Sequence, residues 1–452
     1  MEQTINLNFD LKYSLRMIIL LEVLFLLLLL KSATLGIFFA VFSCALFLLY
    51  LYPEFAFAIA LTGNIILYWF YEYINITFPF AALLTYIVLC STATLFIFMK
   101  EANGINLNWN KLFTLTFAIG FLMILGIAYS SNKGYGLSKT GLYFVFNISY
   151  FVIALLLKNK YRKMNNLFIF AFFIGFTFAL ICFWIASEFV YFKFVRFSPA
   201  ESINPIILSR SLGISAICGL YVFVRNRKNI FGILALTLIP ITIAPMLWSG
   251  SRAPLLGLMI TFLLYYLLQP KQGIIRKISV STFGFLAGLF YILHTSSHIS
   301  ARVSTPVAQE ASAAFRVFAW IQAVQDFLGS PITGIGTGSF ALNTPWLDLY
   351  WPHNLFLEMA CENGMIGLGL ILFFVILVAI YGFRNIFYYA KTNSNEMLQL
   401  SIASSCLFAF SLWNSMFSGD IATNPVVWFS AGLIYALHPT DGKTTANNKM
   451  HL

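Results

Sequence analysis

Residues 353–383 read HNLFLEMACENGMIGLGLILFFVILVAIYGF. The second part, from Gly364 to Phe383, carries no charge. It has the roughly 20 residues a helix needs to cross ~30 Å of hydrocarbon. The first part gathers His353, Asn354, Glu358 and Glu362. Pro352 marks a helix start. Read as one continuous helix, His353–Asn363 stands about 16 Å above the hydrocarbon at 1.5 Å per residue. Asn354, Glu358 and Glu362 recur every fourth residue and form a polar stripe on one face. The bland alternative is a solvated helix face. Gly364 and Gly367, at the membrane entry, favour close helix packing.

Apolar runs of this length recur almost end to end. Of the 452 residues, 60% are hydrophobic and only 10% are charged, and the mean hydropathy is +0.84. A soluble domain carries about 25% charged residues, so the composition predicts an all-α polytopic membrane protein. A closed barrel, the other architecture that satisfies backbone groups in lipid, needs an alternating pattern that is absent here. We expect a single transmembrane domain over 1–452, with about 12–14 spans and a long polar loop at 295–353 carrying short helices. The run near 15–30 lacks a small-residue cleavage site and reads as a retained helix. The net charge of +11 reflects Lys and Arg gathered in cytoplasmic loops, not nucleic-acid binding. The six cysteines are scattered without a CxxC or Cys/His cluster, so neither disulfides nor a metal site is expected.

Spans are read at 15–31, 33–52, 55–72, 79–99, 112–130, 141–157, 166–188, 206–224, 230–248, 253–269, 278–294, 364–383, 396–417 and 424–437. Lys158, Lys160, Arg162 and Lys163, then Arg225, Arg227 and Lys228, mark one side as cytoplasmic. Both termini fall on that side. The stretches 131–140, 188–210, 249–252 and 295–353 fall on the other.

Cations left on that other side go against the topological bias and call for anionic partners: Lys31, Lys133, Lys139, Lys193, Arg196, Arg210, Arg252, Arg302 and Arg316. Arginine binds phosphate bidentately. Ser249-Gly250-Ser251-Arg252 is a tight turn between two spans; Gly and Pro explain the turn, and the arginine is either a phosphate ligand or a snorkelling anchor. Arg316 and Trp320 lie one turn apart on an amphipathic helix, whose alternative is a surface helix lying on the bilayer. That helix leads to Pro331-Ile332-Thr333-Gly334-Ile335-Gly336, whose glycines permit close backbone approach. The loop follows no strand and lacks the Lys-Ser/Thr ending, so it is not a P-loop. Among the five histidines, His438 and His451 fall in the cytoplasmic tail and His294 and His298 at the mouth of the long loop. His353 stands beside Pro352 at a helix start and is of a residue type suited to proton transfer near neutral pH.

His353-Asn354, nine residues, Gly364, two residues and Gly367 resemble the His-Asn-x9-Gly-x-x-Gly pattern of the bacterial O-antigen ligase and Wzy-type polymerase superfamily. The Arg252 turn, the Arg316-x3-Trp320 helix and the Pro331–Gly336 loop follow in that family's order. The resemblance covers about 200–440. It implies a metal- and cofactor-independent glycosyltransferase of GT-C type at the periplasmic face of the inner membrane, using a glycan on undecaprenyl diphosphate. The acceptor is lipid A–core in the ligase branch and a second lipid-linked repeat in the polymerase branch; the ligase branch is the preferred reading. By motif, Arg252 and Arg316 hold the diphosphate, and His353 activates the acceptor hydroxyl or orients the leaving group. Arg210, Arg302, Asn354, Glu358 and Trp320 are further candidates for binding the diphosphate or glycan. A transporter of the same lipid-linked glycans is the rival from another class. It calls for charges at the bilayer midplane and paired broken helices, whereas these cations sit at loop boundaries.

Overall fold

The computed structural model describes residues 50–62, 110–188, 197–199, 203–270, 311–343 and 348–439. The spans read at 15–31, 79–99 and 278–294, and Arg302, lie outside these residues. The described chain forms helices α1 (Glu54–Leu61), α2 (Lys111–Ile127), α3 (Lys133–Leu156), α4 (Tyr161–Glu188), α5 (Pro205–Arg225) and α6 (Ile230–Trp248). It continues with α7 (Arg252–Leu267), α8 (Ala311–Gly329), α9 (Leu355–Lys391), α10 (Asn395–Ser415) and α11 (Pro425–Ala436). Two two-residue strands, β1 (Leu342–Asn343) and β2 (Asp348–Leu349), pair antiparallel, with Leu342 opposite Leu349. α3, α4, α5, α6, α9 and α10 are long and apolar enough to cross a membrane, so the fold is the all-α polytopic one.

Local chemistry sets the helix ends. The Asn204 side chain accepts the Ile206 N–H at 2.8 Å, and Pro205 at the first helical position has no N–H to leave unpaired. α6 ends at Trp248 and α7 begins at Arg252, so the turn at 249–251 is as tight as the sequence suggests. Gly250 there has φ +62, a left-handed conformation that glycine adopts without strain.

α5 sits among α4, α6, α7 and α10, while α11 packs along α3, α9 and α10. The apolar window of α5 is 72% buried against 33% for α6 and 28% for α9. α5 is therefore central, while α6 and α9 present broad apolar faces outward, as lipid-facing helices do.

The structure corrects two expectations. α3 begins at Lys133, so most of the stretch read as the loop 131–140 is helical. Asn132 caps it by accepting the Tyr135 N–H at 3.1 Å. Gly136 lies so close to Thr337 that a Cβ would stand 2.4 Å from that residue's carbonyl oxygen, so the first turns of α3 are enclosed by the glycine loop. Polar sequence here marks an internal polar layer.

α9 is not one straight helix. Gly364 has φ +64 and ψ −159 and interrupts it. The break releases the carbonyls of Cys361 and Glu362, and the glycine loop takes them. The Ile335 and Gly336 N–H groups donate to them at 2.9 Å each, while the Met365 N–H donates to Pro331 at 2.8 Å. Backbone groups that leave the helical ladder are thus paired again. A Cβ on Gly364 would lie 2.2 Å from the Ile332 carbonyl oxygen. Gly364 serves a chain break and a docked loop, beyond ordinary helix packing. The segment before it does not stand clear of the protein: Glu358 and Glu362 are buried.

Candidate functional site

The polar residues gather at one end of the bundle. At the N-terminus of α9, Asn354 spends its side-chain oxygen on the cap, accepting the Phe356 and Leu357 N–H groups at 3.0 and 3.1 Å. His353, just before it, holds a left-handed backbone with φ +56, which costs a non-glycine residue of order 1–3 kcal/mol. The Trp351 indole N–H donates to His353 Nδ1 at 2.9 Å. The two rings meet edge to face, with centroids 5.6 Å apart. Burial pushes the imidazole down to about 4, the Arg316 guanidinium pushes it the same way, and Asp420 opposes them. His353 is thus neutral near pH 7.

Glu358 and Glu362, the expected stripe, share a buried cation. Lys139 donates to Glu362 at 2.7 Å and also pairs with Glu358. Neither the solvated face nor a phosphate on Lys139 describes this arrangement. A buried ion pair needs further hydrogen bonds to offset its desolvation, and Glu358 also accepts the Ile421 N–H at 3.0 Å. The Ile421 carbonyl in turn accepts from Asn147 at 2.7 Å, whose position comes from the π-helical turn Tyr143–Ile148 of α3. The α10–α11 loop is thereby held from both sides. Asp420 in that loop accepts the Tyr135 hydroxyl at 3.1 Å and the Thr423 N–H at 2.8 Å.

Arg210, from α5, reaches the same loop and donates to Asn424, whose amide donates to the Asp420 carbonyl at 2.7 Å. Arg210 also lines a cavity of about 260 Å³ whose walls include Leu142, Phe146, Ile207, Phe410 and Val426. Arg252 opens α7. The next carbonyl, of Ala253, accepts the Trp413 indole N–H at 2.8 Å. From Trp413 a row of rings passes through Phe417, at 5.1 Å, to Trp320 on α8, at a further 6.1 Å. The Trp320 indole nitrogen is buried without a hydrogen-bond partner among the described residues. Arg316 lies one turn before it and acts electrostatically on His353.

Arg210, Trp320, His353 and Glu358 therefore meet the α10–α11 loop from three helices and the segment before α9, whereas Arg252 is tied to it through Ala253 and Trp413 of α10. Lys139, Asp420, Tyr135 and Trp351 complete the cluster. Lys139 did carry a signal, as a cation on the wrong side. Its partners are carboxylates more than 200 positions away in sequence (separation 223 to Glu362), a pairing that only the fold reveals.

These features define a polytopic helical membrane protein with a cation-rich, aromatic-lined site at one end of its bundle. Residues 237–374 match the sequence model of the O-antigen ligase family. That stretch contains Arg252, Arg316, Trp320, His353, Glu358 and Gly364, so the superfamily indicated by the motifs is borne out. No curated protein matches the chain.

Proposed function

We propose that this protein is a membrane glycosyltransferase that moves a glycan from undecaprenyl diphosphate to an acceptor hydroxyl at the periplasmic face. Within that class we assign it as an O-antigen ligase acting on lipid A–core. The reading is supported by the electrostatic contact of Arg316 with His353, residues distant in sequence, and by the presence of both, with Arg252, inside the stretch similar to O-antigen ligases. Arg252 and Arg316 bind the diphosphate and stabilise its charge as it leaves, the work fixed cations do best. Arg210, beside an apolar cavity, and Trp320 add contacts to the lipid-linked donor, with Arg302 as a further ligand. Undecaprenyl diphosphate is a good leaving group, and two guanidinium groups supply the charge that a metal would otherwise bring. Asn354 and Glu358 are engaged by the α9 cap and by Lys139, so they act by holding the segment that follows His353. The opposite end of the bundle carries Lys158, Lys160, Arg162, Arg225, Arg227 and Lys228, which supports a cytoplasmic placement for that end.

The test is transfer by purified protein given lipid-linked glycan, with Arg252, Arg316 and His353 replaced singly by Ala. Retained transfer in all three variants would sink the assignment, and loss of activity on adding EDTA would sink metal independence. Gene deletion separates the branches. Long chains left on undecaprenyl diphosphate support the ligase, whereas single-repeat products identify a Wzy-type polymerase.

A further inference from the structure

We infer that Trp351 is a positioning residue that fixes the tautomer of His353, so that the imidazole meets its substrate as an Nε2–H hydrogen-bond donor and not as a base. The inference rests on the proposed transferase reading. An indole nitrogen can only donate. With the Trp351 N–H 2.9 Å from His353 Nδ1, Nδ1 must be the acceptor. A neutral imidazole carries a single proton, and the partner of one ring nitrogen decides where it sits. Here it sits on Nε2. For Nε2 to accept a proton from a hydroxyl, the ring must first move its own proton to Nδ1, against the indole N–H. The two arrangements exclude each other.

The pairing is built into the chain. His353 adopts φ +56, which folds its ring back towards the residue two positions earlier, across the fixed φ of Pro352. Trp351 is itself held in place. It stacks on Tyr135, with ring centroids 6.4 Å apart and planes at 23°, and the Tyr135 hydroxyl is anchored on Asp420 at 3.1 Å. Among the described residues, the charged groups acting on His353 are Arg316 from α8 and Asp420 from the α10–α11 loop. Arg316 and burial keep the ring neutral, as the tautomer argument requires. An Nε2–H beside Arg316 suits the same anionic oxygen that the guanidinium binds.

In the transfer step, the bond from the anomeric carbon to the diphosphate oxygen breaks, with the electron pair going to the diphosphate. The bond from that carbon to the acceptor oxygen forms. The acceptor's hydroxyl proton ends on the released diphosphate. His353 stabilises the departing oxygen through its hydrogen bond and exchanges no proton.

The first measurement is the nitrogen NMR spectrum of histidine-labelled full-length protein in lipid nanodiscs near pH 7, with His353 assigned by its loss in His353→Gln. A protonated Nε2 and an unprotonated Nδ1 are expected, and the reverse overturns the inference whether or not the protein transfers glycan. The second is activity. A glutamine amide can donate but cannot act as a base, so His353→Gln should keep at least roughly tenfold more transfer than His353→Ala, the equivalent of one hydrogen bond. Equal loss in both variants points to a base and overturns the inference. Trp351→Phe keeps the stack and removes the donor. It should yield a mixture of tautomers and a kcat lowered roughly tenfold with little change in KM, whereas an unchanged tautomer overturns the role of Trp351. If Trp351→Phe fails to fold, the wild-type spectrum and His353→Gln still decide. A donor tautomer in a protein whose His353→Ala variant transfers normally would instead count against the transferase role of His353.

Discussion

The Lys139 ammonium lies 2.7 Å from a Glu362 carboxylate oxygen, with both residues 1% exposed. Glu358 completes the triad from one turn earlier on α9. Removing one member of a buried pair typically costs 3–5 kcal/mol, because the remaining charge is left uncompensated. Lys139→Met strands two carboxylates and should lower stability by about that amount. Adding Glu358→Gln and Glu362→Gln to Lys139→Met should recover most of the loss. Thermal unfolding in detergent reads both effects. If Lys139→Met unfolds at the wild-type temperature, the triad contributes nothing to stability.

A second prediction concerns the break in α9. Gly364 combines φ +64 with a Cβ direction that ends 2.2 Å from the Ile332 carbonyl, so Gly364→Ala must move backbone. Incompatible substitutions of this kind destabilise by more than about 1 kcal/mol, and here the docked loop moves as well. Gly369, five residues on, has open space where its Cβ would go. Gly369→Ala should leave stability unchanged or raise it by about 0.5–1 kcal/mol through helix propensity. Equal effects at both sites would contradict the observed break.

The pattern of hits and misses between sequence and structure has a physical cause. The apolar run 230–248 is α6 almost residue for residue, Ile230–Trp248, because an uninterrupted apolar run has little else to do in a membrane. The turn before Arg252 follows from Gly250. α3 begins before its apolar run: Lys133 and Lys139 give its first turns the composition of a loop, and the burial of Lys139 depends on carboxylates from a distant helix. The break at Gly364 was equally hidden. Glycine permits φ > 0, but the demand for it comes from the carbonyls that the Pro331–Gly336 loop pairs with. Arg252, Arg316 and His353 were legible as polar exceptions to apolar rules. Trp351 and Asp420 were not, since what singles them out is contact.

The His353 imidazole gives a pH dependence. Its folded-state value, about 4, lies below the ordinary 6.5. Between those values the unfolded chain binds a proton that the folded protein refuses, so stability rises with pH across this window and falls on acidification. The contribution is fully present above the unfolded value and lost as pH falls towards about 4. It amounts to less than about 3 kcal/mol, since the ring keeps some contact with solvent. His353→Gln should flatten the slope of melting temperature between pH 6.5 and 4 relative to wild type. An unchanged slope would mean that the ring is not held neutral.

Arg316 joins these arguments, because one side chain is assigned two effects. As a diphosphate ligand, its loss should lower kcat by about 10²–10³, the scale on which a single preorganised charge stabiliser acts. Arg316→Lys should recover little of this, since an ammonium cannot reproduce the bidentate fork. As the neighbour that disfavours the imidazolium, its loss should also move His353 up from about 4 towards its ordinary range. That second effect is read by following the His353 ring nitrogens through a pH titration of Arg316→Ala, with no substrate present. A titration that does not move would mean that Arg316 stands too far from His353 for the two to act on one oxygen. Lost activity with an unmoved titration would then place Arg316 at a separate part of the donor, away from the departing bond.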